Sequence, residues 1–192
     1  MKKRAFLAGL VVFLCGGALS SLAVEKEYKD MTPAERRQAV HKQVVAKIAE
    51  LKKADPGINR FFKNAAGYVV FASVGKLGFI VAGGHGTGEL FEKGRVVGAA
   101  SVSLGSVGLQ AGVQEFSQIV FFKDKAAVER FKQNKFEFTA NASAVIITAG
   151  ASKAVDYRDG VVVFTHATSG AMVEAALGTQ KFSFEPDKAT KK

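Results

Sequence analysis

The densest candidate for chemistry is Gly83-Gly84-His85-Gly86-Thr87-Gly88. Glycines packed this closely can bring backbone N–H groups around a phosphate. The spacing fails both nucleotide patterns. A dinucleotide fingerprint through Gly84 and Gly86 would need glycine where Glu89 stands, and no Gly-Lys-Ser/Thr ending follows. A hairpin is predicted next, not a helix, so no helix dipole would face an anion. Strand glycines that permit a bulge or close packing are the simpler reading. His41, His85 and His166 fall on the first helix, in the glycine loop and in a later strand, with no His-x-x-x-His or Glu-x-x-His pairing. Asp156 and Asp159 flank a turn, an ordinary place for Asp. No Gly-x-Ser-x-Gly elbow occurs, and one Cys excludes a disulfide framework or a Cys-based metal site. The expectation is a protein with no catalytic residues, no metal and no cofactor.

Binding chemistry has better candidates. Ile58, Phe61 and Phe62 form an i, i+3, i+4 apolar face on a short predicted helix, 58–65, with Arg60 and Lys63 beside it. Two adjacent Phe on a basic helix can wedge into a bilayer or plug a core, and the spacing allows both. The element before it starts at Thr32-Pro33-Ala34-Glu35, a capping box with Pro at the first helical position, and stops at Asp55-Pro56-Gly57. Its Val40, Val44, Ile48 and Leu51 make a narrow stripe, flanked by Arg36 and Lys47 on one side and His41 and Lys52 on the other. Such a helix either lies at a lipid interface or docks on a sheet with its long side chains snorkelling around the seam.

Length and charge bound the rest. The chain has 192 residues, one domain's worth, with 48% hydrophobic and 23% charged residues and a net charge of +10. Met1-Lys2-Lys3-Arg4, an apolar run and Ser21-Leu22-Ala23 read as a secretory signal with cleavage before Val24. Lipidation at Cys15 is the alternative, although Leu14 precedes it where a small residue is wanted. Loss of Lys2, Lys3 and Arg4 would lower the net charge from +10 to +7. Export to a periplasm or cell envelope argues against a nucleic-acid partner and for an anionic lipid or polysaccharide surface.

From Gly67 onward the pattern is β. Runs at 67–74 and 77–83 precede a hairpin at Glu92-Lys93-Gly94-Arg95. The stretch 96–114 carries no charge, but it alternates with period two and shifts phase at Gly105-Ser106, so it reads as strands with a bend rather than a membrane helix. A strand at 117–122 leads to Asp124, which caps a short helix, 125–132, with Val128 and Phe131 inward. Strands follow at 136–147, 160–166, 171–177 and 181–184. The predicted fold class is α+β: a mainly antiparallel, Gly-rich sheet, closed barrel or sandwich, with N-terminal amphipathic helices and one short inserted helix.

Phe62-Lys63-Asn64-Ala65-Ala66-Gly67-Tyr68-Val69-Val70-Phe71, followed by Gly75-Lys76-Leu77-Gly78-Phe79 through Gly88, resembles the opening of the SYLF lipid-binding domain family, which includes the yeast-type actin-binding domain proteins. Ser103–Gly112, Phe121-Phe122, Phe131, Ala140–Ser143 and Ser169–Gly178 resemble its later blocks. The resemblance implies a non-enzymatic, exported bacterial member that binds anionic headgroups. In eukaryotic relatives these are phosphoinositides. It places lipid contact at Phe61, Phe62, Lys63 and Lys76; Arg60 is added as a basic neighbour on physical grounds. The implied organisation is a signal peptide at 1–23, an amphipathic helix and linker at 24–57, the SYLF-like domain at 58–186 and a polar tail at 187–192. The implied partners are anionic phospholipids or other envelope lipids, with protein partners unspecified. An envelope structural or protein-interaction module using the Gly-rich β surface is the alternative.

Overall fold

The computed structural model describes residues 31–77, 83–105, 114–134, 137–139, 144–167 and 179–187. The signal segment, Cys15, the expected strand at 171–177 and the tail after Asp187 lie outside them. Contacts divide the chain at Gln38/Ala39 into two units. The described part of the first is the start of helix α1 (Pro33–Ala54). Its capping box forms as the sequence predicts. Glu35 N donates to Thr32 Oγ1 at 3.3 Å, while Thr32 N and Oγ1 both donate to Glu35 Oε2 at 2.7 Å. These bonds hold the Glu35 carboxyl below its usual range.

In the second unit α1 runs on to Ala54, where Asp55-Pro56 stops it. A 3-10 turn (Pro56–Ile58) leads into α2 (Asn59–Asn64). Strands β1 (Gly67–Leu77), β2 (Gly83–Glu92), β3 (Arg95–Gly105) and β4 (Gln114–Phe122) follow. Then come α3 (Lys125–Lys132), β5 (Glu137–Thr139), β6 (Ala144–Ile146), a 3-10 turn (Ala151–Ala154), β7 (Val161–Ala167) and β8 (Thr179–Pro186). Asp124 Oδ1 accepts from Ala127 N at 2.8 Å and caps α3.

The strands form one sheet in the order β5-β8-β3-β2-β1-β4-β7-β6, antiparallel except for the β6–β7 pair. The glycine cluster lies in a strand, as the simpler reading of the sequence has it: Gly83 to Gly88 are ladder residues of β2, and His85, expected in a loop, pairs with Gly75 and Ser103. One larger feature departs from expectation. The run 136–147 is not one strand: β5 and β6 sit at opposite edges of the sheet.

The sheet is rolled. Gln118 on β4 and Gln180 on β8 are four strands apart, about 19 Å in a flat sheet. Yet Gln118 Nε2 donates to Gln180 Oε1 at 2.9 Å, and both residues are fully buried. Phe71 on β1 and Phe182 on β8 have ring centroids 5.7 Å apart. The link from Thr139 to Ala144 reaches at most about 18 Å, which keeps the two edges near each other. The roll stays open among the described residues: no ladder joins β5 to β6. A closed barrel is therefore not what the described strands form.

Each face of the rolled sheet has its own core. Inside, Val69, Phe71, Leu90, Val102, Phe116, Val120 and Val163 pack with Val128 and Phe131 of α3. Outside, Val70, Ile119, Phe121, Val162 and Phe164 pack with Val44 and Leu51 of α1, Ile58 and Phe61. A register shift between Phe71 and Val74 resets the side-chain phase of β1, so that Val74 returns to the inner core. The apolar stripe of α1 is thus a docking stripe, with Val40 and Ile48 partly buried at its margin. No helix among the described residues is long and apolar enough to cross a membrane.

Candidate functional site

The short helix α2 exists because its neighbours anchor it at both ends. Asp55 is buried, and its Oδ1 accepts from Gly57 N at 3.0 Å while Oδ2 accepts from Ser152 N at 2.7 Å. Burial pushes the Asp55 carboxyl up. Hydrogen bonds from Ser152, Gly57 and Gly150 outweigh burial and leave it below the usual range. At the far end, Ala65 N donates to Phe61 O at 2.9 Å and Ala66 N to Phe122 O at 2.9 Å, which ties the junction between the helix and β1 to the end of β4.

Phe61 occupies the outer core, not the surface. It is 2% exposed, and its ring lies 5.5 Å from Phe121, 5.5 Å from Tyr157 and 5.0 Å from Phe164. It therefore makes no lipid contact in this conformation. Phe62 is half-buried, edge-on to Tyr68 at 5.0 Å and to Phe121 at 4.9 Å. Lys52 Nζ sits 4.3 Å from the Phe62 ring centroid. Tyr68 in turn stacks on Phe91 at 4.9 Å.

Arg60 is exposed as a residue but engaged at its head. Its guanidinium donates to Ser152 O at 2.9 Å and to Val155 O, and lies 4.4 Å over the Phe61 ring. Lys63 is exposed, with no ion pair among the described residues. Lys76 is in β1, opposite Gly84 and Gln114, and its side chain lies outside the described residues. Nine residues of strand separate it from Gly67, about 30 Å. Of the five residues singled out in the sequence, Arg60, Phe62 and Lys63 share the short helix α2, with the Arg60 head turned to Ser152 and Val155 and the Phe62 ring turned to Tyr68 and Phe121. Phe61 is inside and Lys76 is at the other end of the strand.

The surrounding titratable groups do structural work. His41 Nδ1 meets the buried Glu89 Oε2 at 2.8 Å, joining α1 to β2, and His166 Nδ1 lies 3.4 Å from Glu50 Oε1, joining β7 to α1. Burial raises Tyr157 to about 12, with Arg60 lowering it and Asp156 raising it, and burial also raises Tyr68. Both phenols therefore stay neutral near pH 7.

Reasoning from the sequence placed Lys52 beside the α1 stripe but missed its contact with Phe62, and it did not single out Lys93, Arg95, Lys123 and Lys125 near Gly67. The signal for the last four was present, because Lys93 and Arg95 lie in the predicted hairpin and Lys123 and Lys125 flank Asp124, the predicted helix cap. What the chain cannot display is that these turns meet at one end of the sheet.

The fold and site define an α+β module whose candidate surface is cationic and aromatic. Its segment 103–191, which begins at the end of β3 and includes β8, matches the model of the Ysc84 family, described as Las17-binding protein actin regulator. The blocks from Phe62 to Gly88 precede the matched residues. Beta cell expansion factor A of Aeromonas veronii is 23% identical over 171 residues, 86% of this chain. The chain spans 65% of that relative's length.

Proposed function

We propose that this is an exported, non-enzymatic lipid-binding protein that associates peripherally with anionic headgroups through a basic and aromatic surface. One observation carries the reading. The half-buried Phe62, held by Tyr68 and Phe121, has Lys52 over its ring and Lys63 exposed beside it in the sequence. Each Lys or Arg near an anionic surface contributes about 1 kcal/mol, and the effect fades over a Debye length of ~8–10 Å. A few such contacts give reversible, salt-sensitive adsorption. The net charge, +10 for the whole chain and +7 after loss of Lys2, Lys3 and Arg4, and the Ysc84 (SYLF) match over 103–191 support the same reading.

The alternative, a Gly-rich surface for protein partners, finds less support. Gly86, Gly88 and Gly98 are buried. A Cβ on Gly88 would lie 2.2 Å from Val70 O, and one on Gly98 would lie 2.4 Å from Glu185 O. These glycines serve packing within the sheet. The family description, a Las17-binding protein and actin regulator, favours a second reading, binding to a protein partner.

Cosedimentation with vesicles tests the proposal. Binding to phosphatidylcholine–phosphatidylglycerol vesicles at low salt, absent on pure phosphatidylcholine and lost in high salt, is the expected result. Equal binding to both vesicle types would refute the electrostatic part. Mass measurement of the native N-terminus tests export: a chain starting at Val24 is expected, and an intact Met1 would contradict it.

A further inference from the structure

We propose that the end of the sheet where β1 begins is the main bilayer-docking face, formed by Lys93, Arg95, Lys123 and Lys125 together with Lys63. This rests on the lipid reading above and names the surface that carries it.

The ladder register gathers these residues. Gly67 pairs with Glu92 on one side and with Phe122 on the other. The β2–β3 turn, with Lys93 and the first residue of β3, Arg95, and the β4–α3 turn, with Lys123 and the first residue of α3, Lys125, therefore flank the start of β1. Lys63 precedes Gly67 by four residues, and the Ala66–Phe122 hydrogen bond fixes that junction to the end of β4. Strands β3, β2, β1, β4 and β7 reach this end in order, through the pairs Glu92–Arg95 and Phe122–Val161. At about 4.8 Å per strand the row spans about 19 Å at most.

All five side chains are exposed, and none has an acidic partner among the described residues. The carboxylates of this end are mostly committed elsewhere. Glu92 and Glu129 both pair with Lys132. Asp124 caps α3. Asp159 lies in the turn before β7, and Asp187 lies beside Val97. With Arg130, Lys132 and Arg158, this end holds eight cationic side chains against those five carboxylates.

A second observation singles out Lys93. Lys93 and Gly94 have φ of 50° and 74°, the left-handed pair of a tight hairpin turn. Asp159 and Gly160 repeat that geometry nearby, with φ of 50° and 80°. Asp-Gly is what such a turn favours, and Lys is a poor fit at its first position. Turn geometry explains Asp159 and does not explain Lys93; a demand for positive charge at this end does. The half-buried Phe62 and Tyr68 lie near the same β1 start, so the row combines spaced cations with aromatic edges, the chemistry of a headgroup plane.

The test compares the full chain with Lys93→Asn alone, with the quadruple Lys93→Asn/Arg95→Gln/Lys123→Gln/Lys125→Gln, and with Lys63→Gln. Binding is measured to phosphatidylcholine–phosphatidylglycerol vesicles and to mixed-sequence duplex DNA. Thermal unfolding reports the fold. Each removed cation weakens vesicle binding about fivefold. The quadruple is expected to bind vesicles more than about a hundredfold more weakly with its melting temperature retained. Lys93→Asn alone should bind about fivefold more weakly yet melt no lower, because Asn suits the turn. A quadruple variant that binds vesicles like the parent overturns the rim while leaving the lipid reading intact. Loss of DNA binding without loss of vesicle binding overturns it equally. A parent chain that ignores anionic vesicles defeats the lipid reading itself, and the rim with it.

Discussion

Phe61 and Phe62 are neighbours in the chain with different environments. Phe61 is enclosed by Phe121, Tyr157 and Phe164, whereas Phe62 keeps part of its ring at the surface under Lys52. Phe61→Ala should cost about 3–5 kcal/mol in chemical unfolding, with Phe62→Ala costing clearly less. Equal losses would mean that Phe62 is as deep as Phe61. Asp55 offers a pH prediction. Its carboxyl is held below the unfolded value of about 3.9, so its contribution is full above that value and disappears as pH falls through the lower folded value. Asp55→Asn should lower stability at pH 7 by about 2 kcal/mol, by weakening its bonds with Gly57 N and Ser152 N. The variant's melting temperature should also fall less than the parent's between about pH 5 and about pH 2. Parallel acid profiles would contradict this assignment. The helical spacing of Ile58, Phe61 and Phe62 was legible in the sequence. Which Phe was interior was not, because Tyr157 and Phe164 close over Phe61 from about a hundred residues away.

The elements divide along the same line between local and distant causes. The capping box at Thr32, the stop at Asp55-Pro56, the cap at Asp124 and the hairpin at Lys93-Gly94 are written in four or five consecutive residues, and all were readable. The glycine cluster was legible as strand glycines, but the reason for them was not, because strand glycines have no local reward. Their reason is lateral: a Cβ on Gly86 would meet Val74 and Val102 side chains at 2.8 and 3.0 Å. The run 136–147 read as one strand because Phe136, Phe138, Ala140 and Ala142 alternate and no Gly or Pro interrupts it, whereas β5 and β6 belong to opposite edges. Gly88→Ala, whose Cβ would lie 2.2 Å from Val70 O and 2.8 Å from Phe71 Cδ1, should destabilise by about 3 kcal/mol or more. Gly75→Ala meets nothing within 4 Å and should be neutral or gain about 0.5–1 kcal/mol. Urea unfolding of the two variants checks both, and a tolerant Gly88 would refute the packing role of the β2 glycines.

The second unit, from Ala39 onward, is a rolled sheet with helices on its outer face and α3 against its inner core. Sequence periodicity located most of its strands. The roll depends on contacts such as Gln118 with Gln180 and Phe71 with Phe182, which join residues 62 and 111 positions apart in the chain. The same distant pairing collects Lys93, Arg95, Lys123 and Lys125 at one end, which no window of sequence reveals. Hydrogen–deuterium exchange on the full chain, free and bound to phosphatidylglycerol-containing vesicles, tests the account most directly. Vesicles should slow exchange in the β2–β3 turn at Lys93–Arg95, the β4–α3 turn at Lys123–Lys125 and α2. They should leave the opposite end of β2 around His85 unchanged. Protection confined to the His85 end, or no protection anywhere, would contradict the account.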